Sequence, residues 1–384
     1  MKPFEFTLPT RLVFGPGTVD RIGGIARDLG MTRPLLVTDR GIRDAGHVDR
    51  ALRLLCDAGL DVEVFDQFAV NPNSAMVDRG VAFAAPLDRN SIIGLGGGSS
   101  LDCAKGINLL LTNGGQIAEY RGYGHASKPL LPMIAIPTTA GTGSEAQSYT
   151  VIADASTNLK MACGDPKLAF AVAIIDPELT LSQPLAVTAA AGFDAIAHAV
   201  ETAVTTRRNP VSTLYSREAF HLLNGHFEDV LRHPDDITAR TAMHLGAFYA
   251  GVAIEQSMLG AAHACANPLT ARYEMTHGVA LAILLPHVVR WNAELSVELY
   301  RELVNHAMNK EAMEVPNANP GDQLAARLVK IGSACGFPSR LRDTGVAQSD
   351  LVGLANIAAK QWTGSFNPRP FSTSEALEVF ECAY

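Results

Sequence analysis

Near residue 180 the pattern of this chain changes, and the change restricts its fold more than any other feature. Upstream, short apolar runs bounded by Gly, Pro and Asp (PLLVTD, DVEVFDQF, SIIGLGGG, PMIAIPTT) alternate with amphipathic stretches such as HVDRALRLLCDAG and SAMVDRGVAFAAP. Short Val- and Ile-rich runs with such boundaries read as buried strands. Strand and helix in alternation build a doubly wound, mostly parallel sheet. VAIIDPELTLSQP closes the pattern with a last strand and a Pro-bearing connector. Downstream, VTAAAGFDAIAHAVETAV, VSTLYSREAFHLLNGHF, DITARTAMHLGAFYAGVAIE, PGDQLAARLVKIGSACG and TSEALEVFECA read as helices, with Asp236, Gly336 and Ser374 as candidate caps or stops. The expectation is an α/β domain over residues 1–180 and an all-α domain over 181–384.

The 384 residues suffice for two cores, and 47% hydrophobic against 18% charged residues describes a compact enzyme-like chain. A net charge of −8 gives no electrostatic reason to bind nucleic acid or an anionic membrane. No apolar run approaches the roughly 18 residues of a membrane span. MKPFEFTLPT lacks the apolar core of an export signal, and six scattered cysteines without a CxxC pair read as free thiols. A cytoplasmic location is expected.

GLGGGSSLDCAKG, Gly94 to Gly106, follows a strand and opens a helix. Gly96, Gly97 and Gly98 allow backbone N–H groups to approach a phosphate, and Ser99 and the helix N-terminus add a donor and a positive dipole end. The run is neither GxGxxG nor a Walker loop, and a glycine triplet also serves as a plain tight turn. Asp39 ends PLLVTD, where a carboxylate bonds both hydroxyls of an adenosine ribose and meets a 2′-phosphate as a like charge, favouring NAD over NADP. A second loop, IPTTAGTGSE, offers the hydroxyls of Thr138, Thr139, Thr142 and Ser144.

Asp194 and His198 stand at i and i+4 in AAAGFDAIAHAVE, one turn apart on one helical face. His263 and His277 would lie roughly 21 Å apart on a straight helix. Pro268 between them and Gly278 after the second provide for a bend that brings them together. One carboxylate and three imidazoles suit Fe(II) or Zn(II). An i, i+4 Asp/His pair also stabilises a helix by itself, and the remaining histidines, such as His221, His226 and His233, read as structural.

Together, GGGSSLDCAKG, IPTTAGTGSE, IIDPELT, GFDAIAHAVE, GAAHACANPL and THGVALAILLPHVVRWN resemble the iron-containing, or group III, alcohol dehydrogenases, in family order over nearly the whole chain. The resemblance implies metal ligands at Asp194, His198, His263 and His277. It implies NAD contacts at Asp39, Asn71, Gly97, Gly98, Ser99, Asp102, Thr138, Thr139, Thr142, Lys160 and Leu179. The implied reaction moves a hydride between a short primary alcohol or diol, or the matching aldehyde or ketone, and NAD(H). Fe(II) is the expected ion, with Zn(II) as the alternative, in a homodimer or larger assembly. Asn267 departs from the family pattern: many members carry there a histidine thought to help move the proton, whereas an amide does not titrate near neutral pH.

Within the same fold the rivals are a zinc-dependent glycerol dehydrogenase, a dehydroquinate synthase-like lyase and a maleylacetate reductase; outside it stands a non-catalytic NAD-binding module. The synthase needs a Lys/Arg cluster beside the ligands, which is missing; glycerol dehydrogenases typically lack TTAGTGSE; the reductase needs no metal. Phe248, Tyr249, Met258, Trp362 and Phe366 are candidates to line an apolar substrate pocket.

Overall fold

The structure, a computed structural model, describes residues 3–307 and 319–384. Its contacts divide into two compact units, Thr7–Gln183 and Pro184–Tyr384, the latter joined by the N-terminal residues up to Phe6.

The strands of the first unit are β1 (Arg11–Phe14), β2 (Pro34–Val37), β3 (Glu63–Phe65), β4 (Ser91–Gly96), β5 (Gly122–Tyr123), β6 (Met133–Pro137), β7 (Tyr149–Ala153), β8 (Lys160–Gly164) and β9 (Val172–Ile175). Its helices are α1 (Ile22–Asp28), α2 (Arg40–Asp44), α3 (His47–Asp57), α4 (Ser74–Ala84) and α5 (Gly98–Asn113). Six strands form one sheet in the order β1-β9-β6-β4-β2-β3, every neighbouring pair parallel. Each residue of β2, β4, β6 and β9 is buried, as a sheet covered on both faces requires. The chain passes outward from β2 to β3, then reverses to β4, β6 and β9, so the topological switch point lies between β2 and β4. Open α/β sheets bind ligands beyond the carboxyl ends of the strands at such a point.

The sequence reading does not contain β1 or the small sheet β5-β8-β7, in which β7 and β8 pair antiparallel from Tyr149↔Gly164 to Ala153↔Lys160. Strands β7 and β8 alternate buried and half-buried residues, so neither makes the long apolar run that marks β4.

The second unit is all-helical: α6 (Leu185–Thr202), α7 (Pro210–Arg232), α8 (Ile237–Ser257), α9 (Ala261–Tyr273), α10 (His277–Ala307, broken at Ser296), α11 (Pro320–Ala334), α12 (Leu351–Ala358) and α13 (Thr373–Ala383). Asp236 caps α8 by accepting from Thr238 N and Ala239 N, and Gly336 follows α11 at φ 71°. The N-cap of α13 is Ser372, in a reciprocal capping box with Glu375, two residues before the expected Ser374. A second correction concerns Pro268. It lies inside α9, which continues to Tyr273, and the chain turns instead at Glu274, in the left-handed region at φ 52°. All six cysteines are free. Among the described residues no helix is long and apolar enough to cross a membrane.

Candidate active site and metal centre

Small side chains in α6 let that helix sink into its unit: from Gly192 to Thr202 every residue is buried. Asp194 and His198, one turn apart, therefore point into protein at 7% and 5% exposure. His263 enters from the first turn of α9 and His277 opens α10. The three imidazoles converge through the same ring atom. Nε2 of His198, His263 and His277 lies 3.3, 3.5 and 3.8 Å from one oxygen, Oδ1 of Asp194. The rings of His198 and His263 stack at 4.8 Å between centroids, and those of His263 and His277 tilt together at 5.3 Å. Donor atoms of Asp194, His263 and His277 all lie within 4.8 Å of one another. His198 joins them through its 3.3 Å approach to Asp194.

The donor set fits a divalent ion. Asp194 Oδ1 and His263 Nε2 are buried and take no hydrogen bond among the described residues, an arrangement that costs free energy unless a cation is shared between them. Burial alone would raise the Asp194 carboxyl, but His198, His263 and His277 outweigh it and hold the group well below the usual carboxylate range. For His263, burial favours the neutral ring, yet the carboxylates of Glu201 and Asp194 prevail and push it up to about 9. Two supporting contacts escape a sequence reading. Thr270 Oγ1 lies 3.3 Å from His277 Nδ1, and Glu201 bonds His263 Nδ1. Each leaves the Nε2 side of its ring turned to Asp194, the outer-shell pattern of metal-bound histidine. Glu201 stands seven residues after Asp194 on the same helix, a spacing that would have flagged it. Asn267, one turn beyond His263, donates from Nδ2 to Gln361 Oε1 at 3.2 Å.

In the first unit, the loops after β2, β4 and β6 lie at the carboxyl ends of three adjacent strands and pack on one another. Gly97 N-caps α5, and a Cβ on Gly98 would stand 2.5 Å from the Thr142 side chain. Thr138 N donates to Gly96 O at 3.1 Å, which seats the second loop on the first. Asn71, at φ 55°, donates its N–H to Ser99 Oγ at 3.1 Å. Asp39 caps α2 through Ile42 N at 3.2 Å and accepts from Ser100 Oγ at 3.0 Å. A carboxylate, bare glycine amides and the Thr138 hydroxyl, which has no hydrogen-bond partner among the described residues, thus border the switch point.

Two expected cofactor contacts also make contacts within the protein. Asp102 is half-buried, accepting from Ser144 Oγ at 2.7 Å and Val151 N at 3.3 Å, and desolvation raises its carboxyl. One turn on, the fully buried Lys105 donates to the carbonyls of Ser144, Gln147 and Tyr149 at 2.7–2.8 Å, so α5 braces the loop from below. Leu179, at 2% exposure, packs in the apolar core with Val19 and Ile22, leaving its backbone as the part able to meet a ligand. Lys160 opens β8, half-buried, close enough to Asp102 to lower that carboxyl electrostatically. Of the expected pocket residues, Phe248 and Met258 are buried at 1% and 2%, whereas Trp362 is 40% exposed, edge-on to Phe366.

Comparison with known proteins matches residues 9–177 to the family model of the iron-containing alcohol dehydrogenases and residues 188–384 to the C-terminal model of the same family. The 1,3-propanediol dehydrogenase of Klebsiella pneumoniae is 33% identical over 383 residues, covering 99% of each chain. The NAD-dependent methanol dehydrogenase of Bacillus methanolicus is 31% identical over 379 residues, again covering 99% of each. The crystal structure of a 1,3-propanediol oxidoreductase superposes with a TM-score of 0.95 at 33% identity, covering 100% of both chains.

Proposed function

The chain belongs to the iron-containing alcohol dehydrogenase family, and on that premise we propose that it is a metal-dependent oxidoreductase moving a hydride between a short primary alcohol or diol and NAD(H), or the reverse from the aldehyde or ketone. In this reading residues 1–180 bind the dinucleotide and residues 181–384 hold the metal. Fe(II) is the ion, with Zn(II) chemically acceptable to the same donors. The single observation that carries the reading is the convergence of three Nε2 atoms on Asp194 Oδ1. The glycerol dehydrogenase-like, dehydroquinate synthase-like and non-catalytic alternatives are not favoured by full-length relatives that are alcohol dehydrogenases by name.

When bound, the ion supplies Lewis acidity toward the substrate oxygen and NAD supplies the hydride acceptor. The protein's part is geometric and electrostatic. Asp194 offsets part of the ion's charge, and three neutral imidazoles preserve its acidity. Thr270 keeps His277 turned so that Nε2 faces inward. Asn267, held by Gln361, orients a hydrogen bond but does not carry the proton away, which leaves water, the cofactor ribose or another side chain as its route. Asn71, Gly97, Gly98, Ser99, Asp102, Thr138, Thr139, Thr142, Lys160 and Leu179 contact the dinucleotide, and Asp39 selects NAD. A homodimer or larger assembly in the cytoplasm completes the proposal.

Metal analysis of anaerobically purified protein, with NADH formation followed across a panel of alcohols and diols, tests the reading. Stripping the ion with a chelator should abolish turnover and Fe(II) should restore it. Undiminished turnover in fully stripped protein would refute it.

A further inference from the structure

Glu201 follows Asp194 by seven residues, two turns along α6, and is 4% exposed. A buried carboxylate is costly unless every lone pair finds a use. Here its two oxygens take two partners on one helix. Oε1 accepts the Ala262 N–H at 2.7 Å, and Oε2 bonds Nδ1 of the adjacent His263. Helix α9 has no side-chain cap of its own, because Gly260 precedes it. Its first donors are met from outside: Ala261 N by Asn367 Oδ1 at 3.3 Å, Ala262 N by Glu201. A Cβ on Gly260 would lie 3.0 Å from both acceptors and would press on them, so the bare residue leaves them more room. The carboxylate also stands at the positive end of the helix dipole.

We propose that Glu201 is the positioning residue of the metal centre: one carboxylate joins the start of α9 to the His263 ring, holds the proton on Nδ1 and aims Nε2 at the cation beside Asp194. Glu201 also supplies a second negative charge, so that two carboxylates balance one divalent ion in a buried site. The inference rests on the reading that Asp194 and the three histidines hold such an ion. Carboxylates that orient metal-bound histidines typically control about 10–100-fold in metal affinity.

Co(II) affinity, measured by chelator competition together with the d–d absorption of the bound ion, tests this. Glu201→Gln should bind Co(II) about 10–100-fold more weakly and alter the absorption bands. Asn367→Ala removes the neighbouring cap without touching His263; it should lower the melting temperature yet keep Co(II) affinity within about threefold. Equal affinities in Glu201→Gln and the parent would overturn the proposal, and so would equal losses in both variants, since capping alone would then explain them. Should Glu201→Gln fail to fold, 15N-histidine NMR of the Zn(II)-loaded parent decides: His263 must show a proton on Nδ1 and the ion on Nε2, and the opposite tautomer refutes the role. A parent that takes up no Co(II) would fell the metal-centre reading itself, whereas a metal-binding parent matched by Glu201→Gln removes the positioning role alone.

Discussion

Gly278 presses its bare α-carbon against the Ala190 carbonyl so closely that a Cβ built there would lie 2.1 Å from the oxygen. The contact joins the first turn of α10 to α6 one turn before Asp194, and it sets how near His277, the adjacent residue, comes to that carboxylate. Gly278→Ala should therefore act at a distance from its own chemistry. The added methyl must push α10 outward, costing about 1–3 kcal/mol as overpacking and withdrawing one imidazole. Metal content after dialysis should fall several-fold while NADH binding, seen by fluorescence, holds. Full metal occupancy in a folded variant would show that the close approach is merely tolerated.

Metal uptake should depend on pH with a definite sign. His263 in the ion-free protein is pushed up to about 9, chiefly by Glu201 against the effect of burial, so a cation entering at neutral pH displaces its proton. Apparent affinity should rise by about tenfold per pH unit up to about 9 and flatten above it. The stability of the ion-free protein must run the other way. A raised folded-state value stabilises fully below the unfolded value of about 6.5, and that contribution is lost as pH climbs through about 9. Isothermal titration with Zn(II) and melting curves of stripped protein measure both slopes. A flat affinity profile between pH 6 and 9 would contradict the assignment.

If Asp39 meets the adenosine ribose as proposed, the cofactor preference should trace to one charge. Asp39 accepts from Ile42 N and Ser100 Oγ, so Asp39→Asn retains an amide at the α2 cap while removing the like charge a 2′-phosphate would meet. Two unit charges about 4 Å apart interact by about 1 kcal/mol in water and about 4 kcal/mol near a protein surface. The ratio of kcat/KM for NAD over NADP should accordingly fall about tenfold or more. No gain with NADP would remove Asp39 from the ribose.

At position 267 an amide donates to Gln361 instead of titrating. Asn267→His introduces a group with an ordinary value of about 6.5, one turn from His263. The pH dependence of kcat should gain an ionisation near there if this position governs proton release. Superimposable profiles for the two proteins would place the relay elsewhere.

His244 lies wholly buried in α8 with neither ring nitrogen hydrogen-bonded among the described residues, and burial, helped by Arg240, lowers it to about 3. Unfolding frees this ring to take up a proton below about pH 6.5, so stability is lost progressively as pH falls from there through about 3. His244→Leu removes an unsatisfied buried polar group worth about 1–3 kcal/mol. The melting temperature should rise by a few degrees and its decline in acid should soften. A lower melting temperature at neutral pH would mean that the ring has a hydrogen-bond partner in the folded protein.

The division into a sheet unit and a helical unit was readable because each half keeps its own hydrophobic period over many residues. The Asp194/His198 pair was readable for a related reason, since i and i+4 face alike on any helix. Pro268 misled: a breaker by type, it sits inside α9, and the turn falls at Glu274, which carries no strong breaker signal. The bonds of Asp102 to Ser144 and Val151, residues far along the chain, tie it to the loop as well and have no local signal. Nor does anything local mark the β7/β8 hairpin, whose half-buried strands depend on pairing for their identity.

What the amino-acid order alone determined was periodic or short-range: strand runs, helical faces, the glycine turn, and the types of residue available to hold an ion and a dinucleotide. Which ring nitrogen faces Asp194, which carboxylate braces His263 and where α9 yields to α10 were decided by packing among segments some 60 to 100 residues apart, as in the Glu201–His263 and Asn367–Ala261 contacts. Those choices follow from the need to satisfy buried polar groups in three dimensions, and no local pattern encodes which distant partner will do so.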